Sequence, residues 1–181
     1  ILSTSNQIKA TNGVRIIDND NSIEIIANSS TYYRDRNILE IKGNIKFYDK
    51  DNNIEIKSDE IIYNKNIEEI RSISFTKVNI DNKFALEGKD ITFLKNQKKI
   101  FSNNKSIISD NYDNVLELFD FKFDLTTNNL RTSSLNFTDQ DKNQYISKNA
   151  IINLNNEKIA AKDIQIYFSD GELGKNARIK G

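Results

Sequence analysis

Apolar residues recur at every second position along most of this chain, and that period limits what it can fold into. Ile23-Glu24-Ile25, Leu39-Glu40-Ile41-Lys42-Gly43-Asn44-Ile45-Lys46-Phe47, Ile54-Glu55-Ile56 and Ile164-Gln165-Ile166-Tyr167-Phe168 all alternate. Alternation of this kind puts one face of a strand in a core and the other in water. Polar clusters separate the runs: Arg34-Asp35-Arg36-Asn37, Asn64-Lys65-Asn66, Asn96-Gln97, Thr127-Asn128-Asn129 and Asn155-Asn156-Glu157. Asn and Asp tolerate the left-handed backbone of tight turns and hydrogen-bond it locally, so these clusters predict turns. Ile67-Glu68-Glu69-Ile70 is the one candidate helical turn, and Ile73 and Phe75 resume the alternation. The pattern predicts an all-β protein.

The pattern also repeats. Ser22-Ile23-Glu24-Ile25 is echoed 31 residues on by Asn53-Ile54-Glu55-Ile56, and Ala85-Leu86 follows after another 31. A period near 30 residues predicts stacked units of two strands. Within each unit the step of two is broken once by a step of three, as in Ala27/Ser30/Tyr32, Ser58/Ile61/Tyr63, Gly88/Ile91/Phe93, Ser147/Ala150/Ile152 and Ala161/Ile164/Ile166. A strand that keeps both flanks facing inward across such a step must bend or bulge there. Small residues allow the bend, and Gly43 and Gly88 are candidates for it. A succession of strand, bend, strand and turn predicts two stacks folded toward each other as a V-shaped trough with apolar walls.

Length and charge narrow the function. At 181 residues and 20.9 kDa the chain is read as one domain, residues 1–181. It contains no Cys and no His, which removes thiolate nucleophiles, disulfides, zinc-finger ligands and the usual neutral-pH acid–base group. Its 26 basic and 26 acidic residues cancel, so no charge surplus points to nucleic acid. Starting at Ile1 without Met, it reads as a processed or excerpted segment, and no apolar run reaches the length of a membrane helix.

The phase of the alternation assigns sixteen inward positions: Ile25, Leu39, Ile41, Ile45, Phe47, Ile54, Ile56, Tyr63, Phe75, Phe93, Leu116, Leu118, Phe137, Ile152, Ile164 and Ile166. They line a trough or simply pack on one another, and the alternation is the same in both cases. Asp49, Asp51, Asn53 and Glu60 have the 1, 3, 5 and 12 spacing of a calcium loop, but Ile54 stands where that loop needs Gly, and both flanks read as strands. A hairpin turn is the simpler reading. Repetitive β folds also host glycoside hydrolases, which need two facing carboxylates. Glu24, Glu40 and Glu55 fall on the outward phase, so no catalytic residue, metal site or cofactor is expected. An extracellular β-repeat adhesin, with a fully packed interior, is a further reading.

Two segments resemble the OstA-type family of lipopolysaccharide-transport domains, shared by LptA, LptC and the periplasmic N-terminal part of LptD. They are Leu39-Glu40-Ile41-Lys42-Gly43-Asn44-Ile45-Lys46-Phe47 and Ile56-Lys57-Ser58-Asp59-Glu60-Ile61-Ile62-Tyr63. The stretch Tyr145–Ile152, then Ile159–Phe168 and the closing Asn176-Ala177-Arg178-Ile179-Lys180-Gly181 is similar to the end of the LptD-type branch, with Ala177 in place of Pro and Ile179 in place of Leu. The resemblance implies a non-enzymatic β-jellyroll in the periplasm, attached to the outer membrane in the full-length protein. Its interior would shield the acyl chains of lipopolysaccharide, making the sixteen inward residues lipid-trough candidates. The implied partners are an LptA-like jellyroll added edge to edge near Ile1, the chain's own C-terminal outer-membrane barrel and an LptE-like lipoprotein. A stand-alone LptA- or LptC-like lipopolysaccharide-binding protein is the near alternative. Physics is compatible with such a role, since each buried CH₂ of an acyl chain gains about 0.8 kcal/mol without any polar ligand.

Overall fold

A computed structural model describes residues 2–3, 6–156, 158–171 and 173–175. These residues form eighteen strands and no helix. In chain order they are β1 (Leu2–Ser3), β2 (Gln7–Ala10), β3 (Val14–Asp18), β4 (Ile23–Ala27), β5 (Ser29–Tyr33), β6 (Ile38–Asp49), β7 (Ile54–Asn64), β8 (Glu69–Ser72) and β9 (Thr76–Ile80). There follow β10 (Phe84–Gly88), β11 (Thr92–Leu94), β12 (Lys99–Ser102), β13 (Ser106–Asp110), β14 (Val115–Asp124), β15 (Asn129–Thr138), β16 (Gln144–Asn153), β17 (Lys158–Tyr167) and β18 (Leu173–Lys175). The closing motif 176–181 lies outside the described residues.

Every pairing is antiparallel, and the registers sort the strands into two rows. One row runs β3, β4, residues 45–49 of β6, residues 54–58 of β7, β9, β10, β13, then the matching parts of β14, β15, β16 and β17, and ends at β18. The other runs β1, β2, β5, residues 38–42 of β6, residues 60–64 of β7, β8, β11, β12, and the remaining parts of β14 to β17. Because β7 and β14 run through both rows, eight strands close a ring of pairings: β7, β9, β10, β13, β14, β12, β11 and β8. The other strands extend this ring on both sides.

The rows meet at a corner in every unit. Gly43 (φ 78°), Asn44 (φ 48°), Asp90 (φ 49°), Asp120 (φ 50°), Asn149 (φ 53°) and Asp163 (φ 55°) all lie at corners in the left-handed region. Register shifts fall at the same places, between Lys42 and Ile45 in β6 and between Ile146 and Ile151 in β16. These are the bends that the step of three calls for: Ser58, Ile61 and Tyr63 are all buried, as are Gly88, Ile91 and Phe93, and Ser147, Ala150 and Ile152. Corner polar groups bond to one another. Ser72 and Ile91 exchange main-chain and hydroxyl hydrogen bonds at 2.9–3.2 Å, Ser102 Oγ donates to Lys89 O at 2.9 Å, and Ser133 Oγ donates to Phe119 O at 2.8 Å. The Ser72, Ser102 and Ser133 hydroxyls thus find partners at bends where the ladder is interrupted.

At the far ends of the rows, turns stack on turns. In the second row, Asn37, Glu68, Lys98 and Asn128 adopt φ near +50° to +55°. The carbonyl of each accepts from the next turn: Lys65 N, Lys95 N, Leu125 N and Leu154 N, at 2.9–3.0 Å. Ser22 and Asn53 do the same in the first row. Carboxylate and amide side chains cap these turns, with Asp49 Oδ1 accepting from Asp51 N and Asp124 Oδ1 from Thr126 N and Thr127 N. The Asn-rich clusters are therefore the turns, as their chemistry requires.

Two details of the sequence reading are corrected. Residues 65–68 form one of these turns and β8 begins at Glu69, so no helical turn exists at Ile67–Ile70. The third unit is also one residue shorter: Leu86 and the half-buried Phe84 take the inward positions while Ala85 faces out, because the turn at 81–83 spans three residues against the four at 50–53.

Gly43 tests the corner geometry. An added Cβ would meet Asn28 Nδ2 at 2.5 Å on a backbone held at φ +78°. Gly43→Ala is expected to lower the stability of the chain by about 1–2 kcal/mol, the cost of a left-handed residue with a side chain. An unchanged urea unfolding midpoint would contradict a strained corner.

Candidate binding interior

Burial follows the predicted phase through most of the chain. Ile25, Leu39, Ile41, Ile45, Phe47, Ile54, Ile56, Tyr63, Phe93, Leu116, Leu118, Ile152 and Ile166 are all buried in one continuous apolar interior or directly beside it. Phe137 and Ile164 face the same way but are only half-buried. Phe75 is a correction: it is 50 % exposed, as Ile73 beside it is also exposed. The inward positions of this connector belong to Ser72 and Thr76, both fully buried, while Ser74 caps the corner by accepting from Asp59 N and Glu60 N at 3.1 Å. The apolar residues between them face outward.

In the first two thirds the interior is filled by its own side chains. Phe47 meets Tyr63 edge to face at 5.7 Å between ring centroids, and Phe84 meets Phe123 at 6.2 Å, so aromatic pairs span the gap between rows. In the last third the filling thins. Phe137 stacks on Tyr145 of the same row at 5.3 Å, and Leu154, Ile159, Ala161 and Ile164 stay half-buried. Ser147 Oγ, in this region, is buried without a hydrogen-bond partner. The N-terminal end resembles it, with Val14 and Ile16 of edge strand β3 and Tyr32 of β5 half-buried. Among the described residues both ends thus present the outer edge of a strand beside a partly uncovered apolar interior, the arrangement strand addition would extend.

The far ends of the rows carry the interior's charges. Lys65 Nζ lies 2.9 Å from Asp18 Oδ2, and Lys95 Nζ lies 3.0 Å from Asp51 and 3.4 Å from Asp49. Burial pushes the Asp18 carboxyl up, but hydrogen bonds from Lys65 and Asn21 outweigh it and hold the group below the usual carboxylate range. Burial likewise pulls Lys95 down, and its bonds to Asp51 and Asp49 more than offset this. These residues were not legible as a site, since each partner comes from a turn more than forty positions away. Their repeat spacing is the only signal: Asp18 and Asp49 are 31 apart, Lys65 and Lys95 30 apart.

The acids at calcium-loop spacing do not converge. Asp49 and Asp51 hold Lys95, Asn53 Nδ2 donates to Asp81, and Glu60 pairs with Lys42 at 3.0 Å. Among the described residues no group of acids could hold a metal ion. Glu24, Glu40 and Glu55 sit on the outer face, Glu24 with Arg15 and Lys50, Glu55 with Lys57 and Glu40 with the Tyr33 hydroxyl. An open cleft of about 490 Å³ also lies on the outer side, lined by the cross-strand row Phe101, Lys122, Arg131 and Ile151 and by corner residues.

No family model and no curated protein matches the chain. Among solved structures, the TCP10 domain of Danio rerio CPAP, in complex with a peptide of Danio rerio STIL, aligns over 96 % of this chain and 99 % of that one. Identity is 8 % and the TM-score 0.19, too low to carry an argument about fold.

Tyr63 provides a test of the packed part of the interior. Its phenol is buried without a hydrogen-bond partner, and burial pushes its ionisation well up, with Asp18, Glu68 and Asp49 adding to the effect. An unsatisfied buried hydroxyl costs about 1–3 kcal/mol, so Tyr63→Phe is expected to raise stability by about 1 kcal/mol. A drop in the unfolding midpoint would mean that the phenol has a partner after all.

Proposed function

We propose that this chain is a lipopolysaccharide-transport domain of the OstA type, a V-shaped β-jellyroll that shields acyl chains in its apolar interior and has no catalytic role. One observation carries the reading: six long strands, β6, β7 and β14 to β17, cross from one row to the other at corners that keep the inward phase apolar. The product is a single apolar interior running the length of the stack, bounded among the described residues by strand edges without a partner strand. A lipid acyl chain needs such a surface and little else, because its affinity comes from area and not from directed polar contacts.

On this reading the edge at β3 receives an LptA-like jellyroll by strand addition. The C-terminal side leads to an outer-membrane barrel with its LptE-like lipoprotein, and the domain works in the periplasm, attached to the outer membrane. The resemblance of the C-terminal segments favours the LptD-type branch over a stand-alone LptA- or LptC-like protein. A second reading has its own support: Ile41 and Phe93 are almost wholly covered by neighbouring side chains, as in a β-repeat module with a packed interior.

Site-specific photocrosslinking to lipopolysaccharide in cells separates the two. Probes at inward Phe137, Ile152 and Ile164 are expected to give adducts, and probes at outward Glu40 and Lys42 none. Absence of adducts at every site in a folded chain would assign the interior to packing alone.

A further inference from the structure

The two charged contacts at the far ends of the rows occupy equivalent places in successive units. Asp18 and Asp49 each end a strand of the first row, and Lys65 and Lys95 each open a turn of the second. Thirty-one residues after Asp49 stands Ile80, and thirty after Lys95 stands Leu125, so the next unit has an apolar pair at these places. The unit after that has Asp110 and Leu154. Asp110 turns its carboxylate back onto its own turn, accepting from Tyr112 N, Asn114 N and Asn114 Nδ2 at 2.8–3.1 Å. Ionic fastening of the seam between the rows is therefore confined to the first two of these four places.

That fastening is set deep. The Lys95 side chain is 9 % exposed and that of Asp49 0 %, and Asp49 is fixed further by Asn52 Nδ2 at 2.6 Å and Asp51 N at 3.1 Å. A buried pair held by such bonds is costly to separate, because either partner alone would be an uncompensated charge. Beneath these pairs Phe47 and Tyr63 close the gap. Past Asp110 no ion pair joins the rows among the described residues, and the inward Phe137, Leu154, Ile159 and Ile164 are half-uncovered.

We infer that Asp18–Lys65 and Asp49–Lys95–Asp51 latch the seam over the N-terminal part of the interior. The unlatched stretch from Asp110 and Leu154 onward is then the lateral portal through which an acyl chain enters or leaves. This rests on the lipid-transport reading above. What the portal exposes is apolar and continuous with the core, so its occupant is a hydrocarbon chain, with any charged headgroup remaining outside the seam.

The chain has no cysteine, so introduced pairs label cleanly. Spin labels at Asp20→Cys and Ile67→Cys span the latched seam, and labels at Tyr112→Cys and Asn156→Cys span the unlatched one. Lys65→Met combined with Lys95→Met is expected to lengthen and broaden the first distance and leave the second unchanged. A first distance that stays put in a folded variant overturns the latch. Should the variant misfold, the otherwise unaltered chain decides. Fluorescence of bound cis-parinaric acid is expected to be quenched more strongly by a nitroxide at Asn156→Cys than by one at Ile67→Cys. Binding with equal quenching from both sites overturns the portal and leaves the lipid reading standing, whereas no binding overturns both whatever the distances show.

Discussion

Everything in this molecule depends on long strands changing direction without changing which face is apolar. A strand that bends with its step of two intact would bring its polar side chains to the interior beyond the corner. The chain avoids this by inserting a residue at the bend, and the left-handed backbone of Asn44, Asp120, Asn149 and Asp163 is the local mark of that insertion. Asn and Asp are the side chains that accept this conformation with least strain, which ties a compositional bias of the sequence to its architecture. Small residues such as Ser58, Gly88, Thr132 and Ala150 take interior positions at the corners, beside the larger Ile45, Ile61 and Ile91.

The ends of the rows solve a different problem. There the main chain must reverse, and each turn hands a carbonyl to an amide of the next, so the turns form a ladder of their own. Charged residues placed on this ladder face one another across the seam, and whether the rows are held by ions or by apolar contact depends on which residue the repeat supplies. Aspartate and lysine supply the first two places, Ile80 and Leu125 the third, and the fourth has Leu154 with an Asp110 that bonds its own turn. A single fold can in this way be tightly closed along one part of its length and loosely covered along another.

Much of this was legible in the sequence because strands, turns and corners are local. The alternation located the strands, the Asn-rich clusters located the turns, and the step of three located the bends. Failures arose where a local pattern was ambiguous or the contact was distant. Ile73 and Phe75 alternate like their neighbours yet face solvent, since Ser72 and Thr76 hold the inward positions, and a polar residue facing inward at a corner looks from sequence like a polar residue facing out. Asp18 and Lys65 come from different units, and nothing in either segment alone announces the other. Which inward residues are fully covered and which are half-open was equally hidden, because coverage depends on what the facing row places over each side chain, and no local pattern marks Phe137 and Ile164 as half-buried.

The central claim is that the interior, and not the outer face, receives hydrocarbon. Isoleucine-methyl NMR of the chain titrated with lipopolysaccharide addresses it directly, since isoleucines occupy both faces. Shifts concentrated at Ile152, Ile159, Ile164 and Ile166, with Ile17, Ile26 and Ile73 unmoved, are the predicted result. Shifts confined to the outward three, or none at any isoleucine, would contradict it.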